Sequence, residues 1–344
     1  MKKLFAIALL LGMLLTACQS GDEEQGSTKK EAASQQQKEE KKEITKEEID
    51  LNTKPNEAGQ IMILMYHNIS TPEAEWVRTP ENFRKDLQAL YDQGYLPISL
   101  TDYVNGNITT PAGKSPYVLT FDDGRENNFN YLEDGSINPD SAVGIIMEFA
   151  EKYDDFEPRA TFFVNGTGRF GPKEEVQKKF DFLVEKGMEV GNHTINHPNM
   201  KTLDASGVQR EIGGQKAYLE ESFSKPYNIN TLALPFGSRP DKSLYNYLET
   251  GSYEGKDYKN IAILNVGWDP NPSPYHTDFD PLAIHRVRAS ETNVDDVGIY
   301  DWIEILKNHP KRRFVSDGAA NIVTVPQGLE ENVKAPEGKE LLVY

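Results

Sequence analysis

The sequence predicts an α/β fold. Segments with the composition of buried strands alternate along the chain with segments of helical periodicity, and the motifs that could carry chemistry each follow a predicted strand. Alternation of this kind is typical of parallel sheets, and by itself it allows either an open sheet or a closed barrel.

Each predicted strand is a short apolar run, and each predicted helix repeats apolar residues at a spacing of three or four. Gly, Pro, Asn and Asp residues separate them. In chain order, strands are expected at residues 61–66, 95–100, 117–121, 160–164, 188–190, 232–234, 261–266 and 282–287. Helices are expected at residues 80–93, 141–153, 173–186, 205–222, 242–249 and 294–307.

The first residues have the pattern of an export signal. Two lysines precede an apolar run at 4–15, which is too short to span a bilayer and ends at a small-residue cleavage site. Cys18 is the only cysteine, and its place after Leu-Thr-Ala resembles a bacterial lipobox. Residues 1–17 are therefore expected to be a lipoprotein signal peptide and Cys18 the lipidated first residue; the alternative is an ordinary signal peptide with an unmodified thiol.

Residues 18–60 are predicted to combine the lipidated cysteine with a disordered tether. Residues 19–60 contain no aromatic side chain and are rich in Gln, Lys, Glu and Ser, a composition that cannot bury enough apolar surface to fold. The main folded domain is expected at 61–325, and residues 326–344 are expected to form a C-terminal tail.

Two adjacent carboxylates end the predicted strand 117–121. Asp122 and Asp123 follow Phe121 directly and precede Gly124. Neighbouring aspartates inside a protein repel each other and lose hydration, so a fold tolerates them where a cation or a transferred proton offsets that cost. Taken alone, an Asp-Asp-Gly sequence is more often a turn.

Two histidines follow the predicted strand 188–190. His193 and His197 lie four residues apart, and one helical turn or a tight loop would point both rings to the same side. Two imidazoles and one carboxylate, with coordination positions left for water, are a plausible catalytic set for a divalent metal.

These motifs resemble those of a known family. The segments 120–124 (Thr-Phe-Asp-Asp-Gly) and 193–198 (His-Thr-Ile-Asn-His-Pro) are similar to the first two motifs of the polysaccharide deacetylases, carbohydrate esterases built on the NodB homology domain. The segment 234–237 resembles the third motif, although Ala233 stands where many members carry an arginine. The segment 61–69, which contains Tyr-His-Asn-Ile, resembles the branch that deacetylates poly-N-acetylglucosamine.

The resemblance covers most of residues 61–310 and implies a distorted (β/α)7 barrel with its catalytic groups where the strands end. It also implies site residues. Asp123, His193 and His197 would hold the metal, Asp122 would be the general base, and the backbone N–H of Phe236 would stabilise the oxyanion. The metal is expected to be zinc, with cobalt, nickel or iron able to use the same ligands.

The general acid has two candidates. His67 is favoured, because the Tyr-His motif follows a clear strand and accompanies the missing arginine. His285, in Ala-Ile-His, resembles a weakened version of the Leu-x-His motif from which many members take this histidine.

Two further residues are candidates for the site. Arg286 would replace the absent arginine by pairing with Asp122, or it would be a surface charge beside Arg288. Trp268 follows a predicted strand and would stack on a sugar ring, or it would pack in the core.

Composition limits the partners. The chain has 344 residues and a net charge of −17, which argues against nucleic acid as a partner. The expected partners are an extracellular polysaccharide and the membrane, reached through the lipid anchor. A monomer on the extracellular face of the bacterial cell membrane is expected.

The resulting hypothesis is a hydrolase that removes N-acetyl groups from an extracellular N-acetylglucosamine polymer, with a poly-β-1,6-linked polymer favoured. Two alternatives remain. One is a peptidoglycan or xylan deacetylase of the same fold, and the other is a lipoprotein that binds glycans without catalysis.

Overall fold

The computed structural model describes residues 43–166, 168–267, 269–289 and 297–344. The α-helices are α1 (Pro80–Asp92), α2 (Leu100–Asn105), α3 (Ala142–Lys152), α4 (Val176–Glu185), α5 (Ala205–Glu221), α6 (Asn246–Glu249) and α7 (Ile299–Asn308). The strands are β1 (Gln60–Tyr66), β2 (Asn68–Ile69), β3 (Val77–Arg78), β4 (Tyr95–Pro97), β5 (Ser115–Phe121), β6 (Thr161–Val164), β7 (Glu189–Asn192), β8 (Thr231–Ala233), β9 (Thr250–Tyr253), β10 (Lys256–Lys259), β11 (Ala262–Leu264), β12 (Asn271–Pro272), β13 (Val287–Arg288), β14 (Ile322–Val325) and β15 (Glu340–Val343). No helix in these ranges is long and apolar enough to cross a bilayer.

The central sheet curls into a distorted barrel. Its strands lie in the order β11-β8-β7-β6-β5-β1-β12, with β4 added to β5 and β13 added to β1. Neighbours from β1 to β11 are parallel. Ile284 bridges to Leu264 in β11, and β13 pairs with β1 a few residues later, so the segment 284–288 connects β11 and β1, the two ends of the parallel part of the sheet. The predicted fold class is confirmed.

Both faces of the barrel strands are buried. Along β1, Met62 and Leu64 pack with the surrounding helices, whereas Ile61 and Ile63 lie in a second cluster with Val118 of β5. Successive side chains of a strand point to opposite faces, so the two clusters are the outer and inner layers of the curled sheet. Strands buried on both faces are apolar at most positions, which is why these runs are clear in the sequence.

Side-chain caps fix where several helices begin. Thr79, Ser141 and Asp204 each accept a hydrogen bond from a backbone N–H in the first turn of α1, α3 and α5. Ser99 does the same for α2. The predicted strand 95–100 is therefore too long, because it pairs only as far as Pro97 and the chain then turns into a capped helix.

The tether predicted for residues 18–60 is too long. Residues 43–59 belong to the folded body: Ile49 is buried against Ala319 and Ile322, and the backbone of Asn56 bridges to Val315. The expected tail is also part of the fold, because β15 pairs in parallel with β14. Cys18 and the rest of the predicted signal and tether, residues 1–42, lie outside the described residues.

The carboxyl ends of the barrel strands bring the motifs together. Strand β1 ends one residue before His67, β5 one residue before Asp122, and β7 one residue before His193. Strand β8 leads into the turn at Pro235–Gly237. In a parallel barrel these ends share one face, so segments distant in sequence become neighbours there.

Candidate active site

The two aspartates leave β5 in different directions. Asp122 continues the strand, since its backbone N–H bonds to the Tyr66 carbonyl at 2.9 Å. Asp123 and Gly124 then take left-handed backbone conformations, with φ of 73° and 60°. A side chain at Gly124 would place its Cβ 2.3 Å from the Gly168 carbonyl oxygen, so this sharp turn requires glycine.

The two histidines lie in a tight loop and not on a helical turn. Thr194 and His197 have φ of 65° and 52°, which no helix allows. The Asn192 side chain accepts from the Thr194 N–H at 2.9 Å. Glu211, buried on α5, accepts from both the backbone and side-chain N–H groups of Asn196 at 2.8 Å. These bonds hold the loop in a left-handed backbone conformation, which residues other than glycine rarely adopt.

Asp123, His193 and His197 meet at one point. Each offers one ligand atom, and these atoms all lie within 4.8 Å of one another. The Asp123 Oδ1 atom is 3.7 Å from Nε2 of His193 and 3.6 Å from Nε2 of His197. Among the described residues, this is a candidate metal site with two nitrogens and one oxygen.

The tautomer of His193 leaves one ring nitrogen able to bind a metal. Its Nδ1 lies 2.9 Å from the Ala233 carbonyl, and because a carbonyl only accepts, Nδ1 must carry the proton. The Nε2 lone pair therefore points to the site, where this buried atom has no hydrogen-bond partner among the described residues. A buried polar atom without a partner is costly, and a cation held with Asp123 and His197 would satisfy it. Burial and the neighbouring His193 lower the pKa of His197, which keeps that ring neutral and able to bind a metal.

Two residues that sequence reasoning missed orient Asp123. The Arg125 guanidinium donates to Oδ2 at 2.9 and 3.2 Å, and the buried Asn165 side chain donates to Oδ1 at 3.1 Å. Arg125 could have been noticed because it follows the Asp-Asp-Gly motif directly. Asn165 follows β6, and its place at a strand end was its only signal.

The structure places Arg286 on Asp122. Two charge-assisted hydrogen bonds of 2.7 Å join the guanidinium to both carboxylate oxygens. The side chain of Arg286 is fully buried and also donates to the Asn265 carbonyl at 3.0 Å. The alternative of a surface charge is therefore wrong. Burial disfavours the charged form of Asp122, yet Arg286 and the neighbouring histidines hold its pKa below the usual range.

Asp122 lies between two imidazoles. Its Oδ2 is 3.9 Å from Nε2 of His67 and 3.9 Å from Nε2 of His193. Burial lowers the pKa of His67 to about 4, against the opposing effect of the two aspartates. The other candidate acid, His285, is exposed, and no described contact joins it to Asp122 or to the candidate metal ligands.

Phe236 borders the site beside His197. It is the middle residue of a tight turn, has φ of 57°, and is 68% exposed, with its ring 4.6 Å from that of His197. The first backbone N–H that donates within this turn is that of Gly237, to the Leu234 carbonyl. The Phe236 N–H comes one residue earlier, at a position where a helical turn leaves the N–H without a partner inside the turn. Trp268, the other predicted substrate contact, lies outside the described residues.

Comparisons with known proteins show what the chain is similar to. Residues 109–254 match the family model described as polysaccharide deacetylase. YxkH of Bacillus subtilis, which carries the name of a polysaccharide deacetylase, is 24% identical over 299 residues, covering 84% of this chain and 94% of the relative. The peptidoglycan-N-acetylglucosamine deacetylase of Bacillus cereus is 24% identical over 137 residues, covering 39% of this chain and 41% of the relative.

A solved structure shares the fold. The deacetylase PplD of Streptococcus pyogenes, described in complex with acetate, has a TM-score of 0.51 at 21% identity, covering 71% of this chain and 97% of the other. The chain is therefore similar in sequence to polysaccharide deacetylases, and it shares the fold of a solved deacetylase.

Proposed function

We propose that the chain is a metal-dependent deacetylase that removes N-acetyl groups from an extracellular polysaccharide containing N-acetylglucosamine. The observation that carries this proposal is the meeting of Asp123, His193 and His197 beside the Asp122–Arg286 pair. A divalent cation at such a site would polarise the acetyl carbonyl and acidify a bound water, and zinc suits these ligands, as cobalt, nickel and iron do.

Side chains of the protein would accept and deliver the protons of the reaction. Asp122 stays ionised through its bond to Arg286 and is fixed in orientation, so it can accept a proton from the attacking water. The backbone N–H of Phe236 would donate to the oxyanion of the tetrahedral intermediate.

His67 would deliver a proton to the departing nitrogen. With a pKa of about 4, its ring is neutral near pH 7 and must receive that proton during turnover. Because Nε2 of His67 lies 3.9 Å from Oδ2 of Asp122, a proton accepted by Asp122 has a short route to His67 and from there to the amine. His285 has no such neighbour among the described contacts.

The choice of N-acetylglucosamine as the sugar is supported by the name of the Bacillus cereus relative. The Tyr66-His67 segment and the alanine at position 233 favour a poly-β-1,6-linked polymer over a peptidoglycan strand. A complete set of candidate ligands with a paired base argues against a glycan-binding lipoprotein without catalysis. The predicted lipobox at Cys18 supports anchoring at the extracellular face of the membrane.

Restoration of activity to the metal-stripped protein tests this proposal. The full chain, treated with chelator and then with zinc, cobalt or nickel, should release acetate and free amine in equal amounts from N-acetylglucosamine oligomers. Acetate without amine from acetylated xylan would identify an esterase instead. Binding of oligomers without release under any metal would identify a binding protein.

Variants of the two candidate acids separate them. His67→Ala should abolish most of the activity, whereas His285→Ala should leave it near wild type, with His309→Ala as a control on an exposed histidine outside the site. Loss of activity in the His285 variant alone would contradict the assignment of the acid.

A further inference from the structure

Trp76 is a large apolar side chain that the fold leaves exposed beside the candidate site. It lies between β2 and β3, and 40% of its surface is open to solvent. Its ring centroid is 4.6 Å from that of His67, with 54° between the ring planes. An exposed indole in contact with a proposed catalytic residue is a candidate for contact with substrate.

The indole is held in place from the barrel side. The guanidinium of Arg288, in β13, lies 4.4 Å from the centroid of the Trp76 ring. Arg288 is itself bonded to Glu75 at 3.2 Å. The Trp76 carbonyl accepts from the Asn68 N–H at 3.2 Å, which fixes the backbone. The ring is therefore ordered before any ligand arrives, and binding would not have to pay for ordering it.

From these contacts we propose that Trp76 forms a sugar-binding subsite that stacks on the pyranose ring next to the sugar being deacetylated. This inference rests on the proposed function, because that function places the acetamido group of the reacting sugar over Asp122 and His67. Trp76 contacts His67, which in turn lies beside Asp122, so the indole would take the next sugar of the polymer.

The chemistry of the subsite suits a hexosamine ring. A pyranose presents C–H groups on its faces and hydroxyl groups around its edge, which match an aromatic face bordered by polar groups. The Glu75 carboxylate, 57% exposed, lies at this border and can accept from a hydroxyl. A small pocket beside the indole is lined in part by His67, Glu75, Trp76 and Arg288.

Kinetics on substrates of increasing length test the subsite in the full chain. Trp76→Ala should raise the KM for N-acetylglucosamine oligomers about tenfold or more, which is about 1.4 kcal/mol. Its effect on the monosaccharide should be several-fold smaller, because the monosaccharide has no neighbouring sugar. Trp76→Phe should recover most of the loss, and Leu132→Ala, at another exposed apolar residue (44% exposed), should match the wild type on both substrates.

Two outcomes would overturn the inference. Equal losses on monomer and oligomer would mean that Trp76 only supports His67, and an unchanged KM for the oligomer would mean that no sugar stacks there. Should Trp76→Ala fail to fold, Trp76→Phe and Trp76→Leu give the same comparison of an aromatic with an aliphatic side chain.

Calorimetry on metal-stripped protein separates this inference from the proposed function. Oligomer binding that weakens in Trp76→Ala, in a chain that no metal activates, would keep the subsite and refute the hydrolase. If the protein hydrolyses oligomers but neither the binding affinity nor the KM depends on Trp76, the hydrolase is kept and the subsite is refuted.

Discussion

Replacing Arg286 with methionine should destabilise the folded chain by about 3–5 kcal/mol near neutral pH, because it leaves a charged carboxylate buried without its partner. Arg286 is 0% exposed and Asp122 is 2% exposed, so water cannot take the place of the guanidinium. The two lost bonds of 2.7 Å give a similar figure, at about 1.5–3 kcal/mol for each charge-assisted bond.

Urea unfolding of the chelator-treated protein measures this loss. The double variant Asp122→Asn, Arg286→Met should be more stable than Arg286→Met alone, because the unpaired buried charge is then gone. A loss of less than about 1 kcal/mol in the single variant, or a double variant that is no more stable, would refute the reasoning.

The difference in stability between the wild type and Arg286→Met should depend on pH, in a direction set by the pKa of Asp122. In the wild type the folded pKa of Asp122 is depressed, so the pair contributes stability above the unfolded pKa and loses it as pH falls through the folded value. In Arg286→Met the guanidinium no longer opposes burial, so the folded pKa of Asp122 rises relative to that in the wild type. The variant therefore lacks the stability that the pair contributes above the unfolded pKa. The difference between the two proteins should therefore narrow as pH falls from neutral into the acid range, and a constant difference would contradict the account.

Three other predictions concern the histidine loop, the buried residue Glu57 and the core strand β1. Glu211→Gln should weaken metal binding about 10–100-fold in a titration, because it disrupts the bonds that hold the histidine loop. The control Glu221→Gln, on the exposed face of the same helix, should bind metal as the wild type does. Equal metal affinities of the two variants would contradict this prediction. Burial and the nearby Asp317 raise the pKa of Glu57, so the wild type should lose stability as pH rises from the unfolded towards the folded pKa, and Glu57→Gln should lose less; equal slopes of unfolding free energy against pH would be the contrary result. Leu64→Ala should cost about 2–5 kcal/mol in urea unfolding, since this side chain is fully buried in β1, and a loss below about 1 kcal/mol would mean that the core is looser than described.

The barrel strands could be predicted because their signal is local. Both faces of β1 and β5 are buried, so the runs are mainly apolar and stand out from the polar segments around them. The motifs could be placed for a related reason, since residues that directly follow parallel strands gather at one face of a barrel. Arg286 was foreseen as a partner of Asp122, although the sequence allowed a surface position equally.

What the sequence did not predict depends on distant contacts. Glu211 stabilises the histidine loop from α5, and nothing in its own segment distinguishes it from other helical glutamates. The segment 43–59 looks like a polar tether because few of its side chains are apolar, yet Ile49 is buried by residues far along the chain. The short strand β15 is likewise formed only through its pairing with β14.

Metal content of the purified full chain tests the central claim most directly. We predict about one bound divalent ion per chain, lost in His193→Ala and in Asp123→Asn but retained in His67→Ala, whose ring lies beside Asp122 and outside the set of ligands. A wild-type chain that binds no divalent metal, or a His193 variant that binds it as tightly as the wild type, would contradict the account.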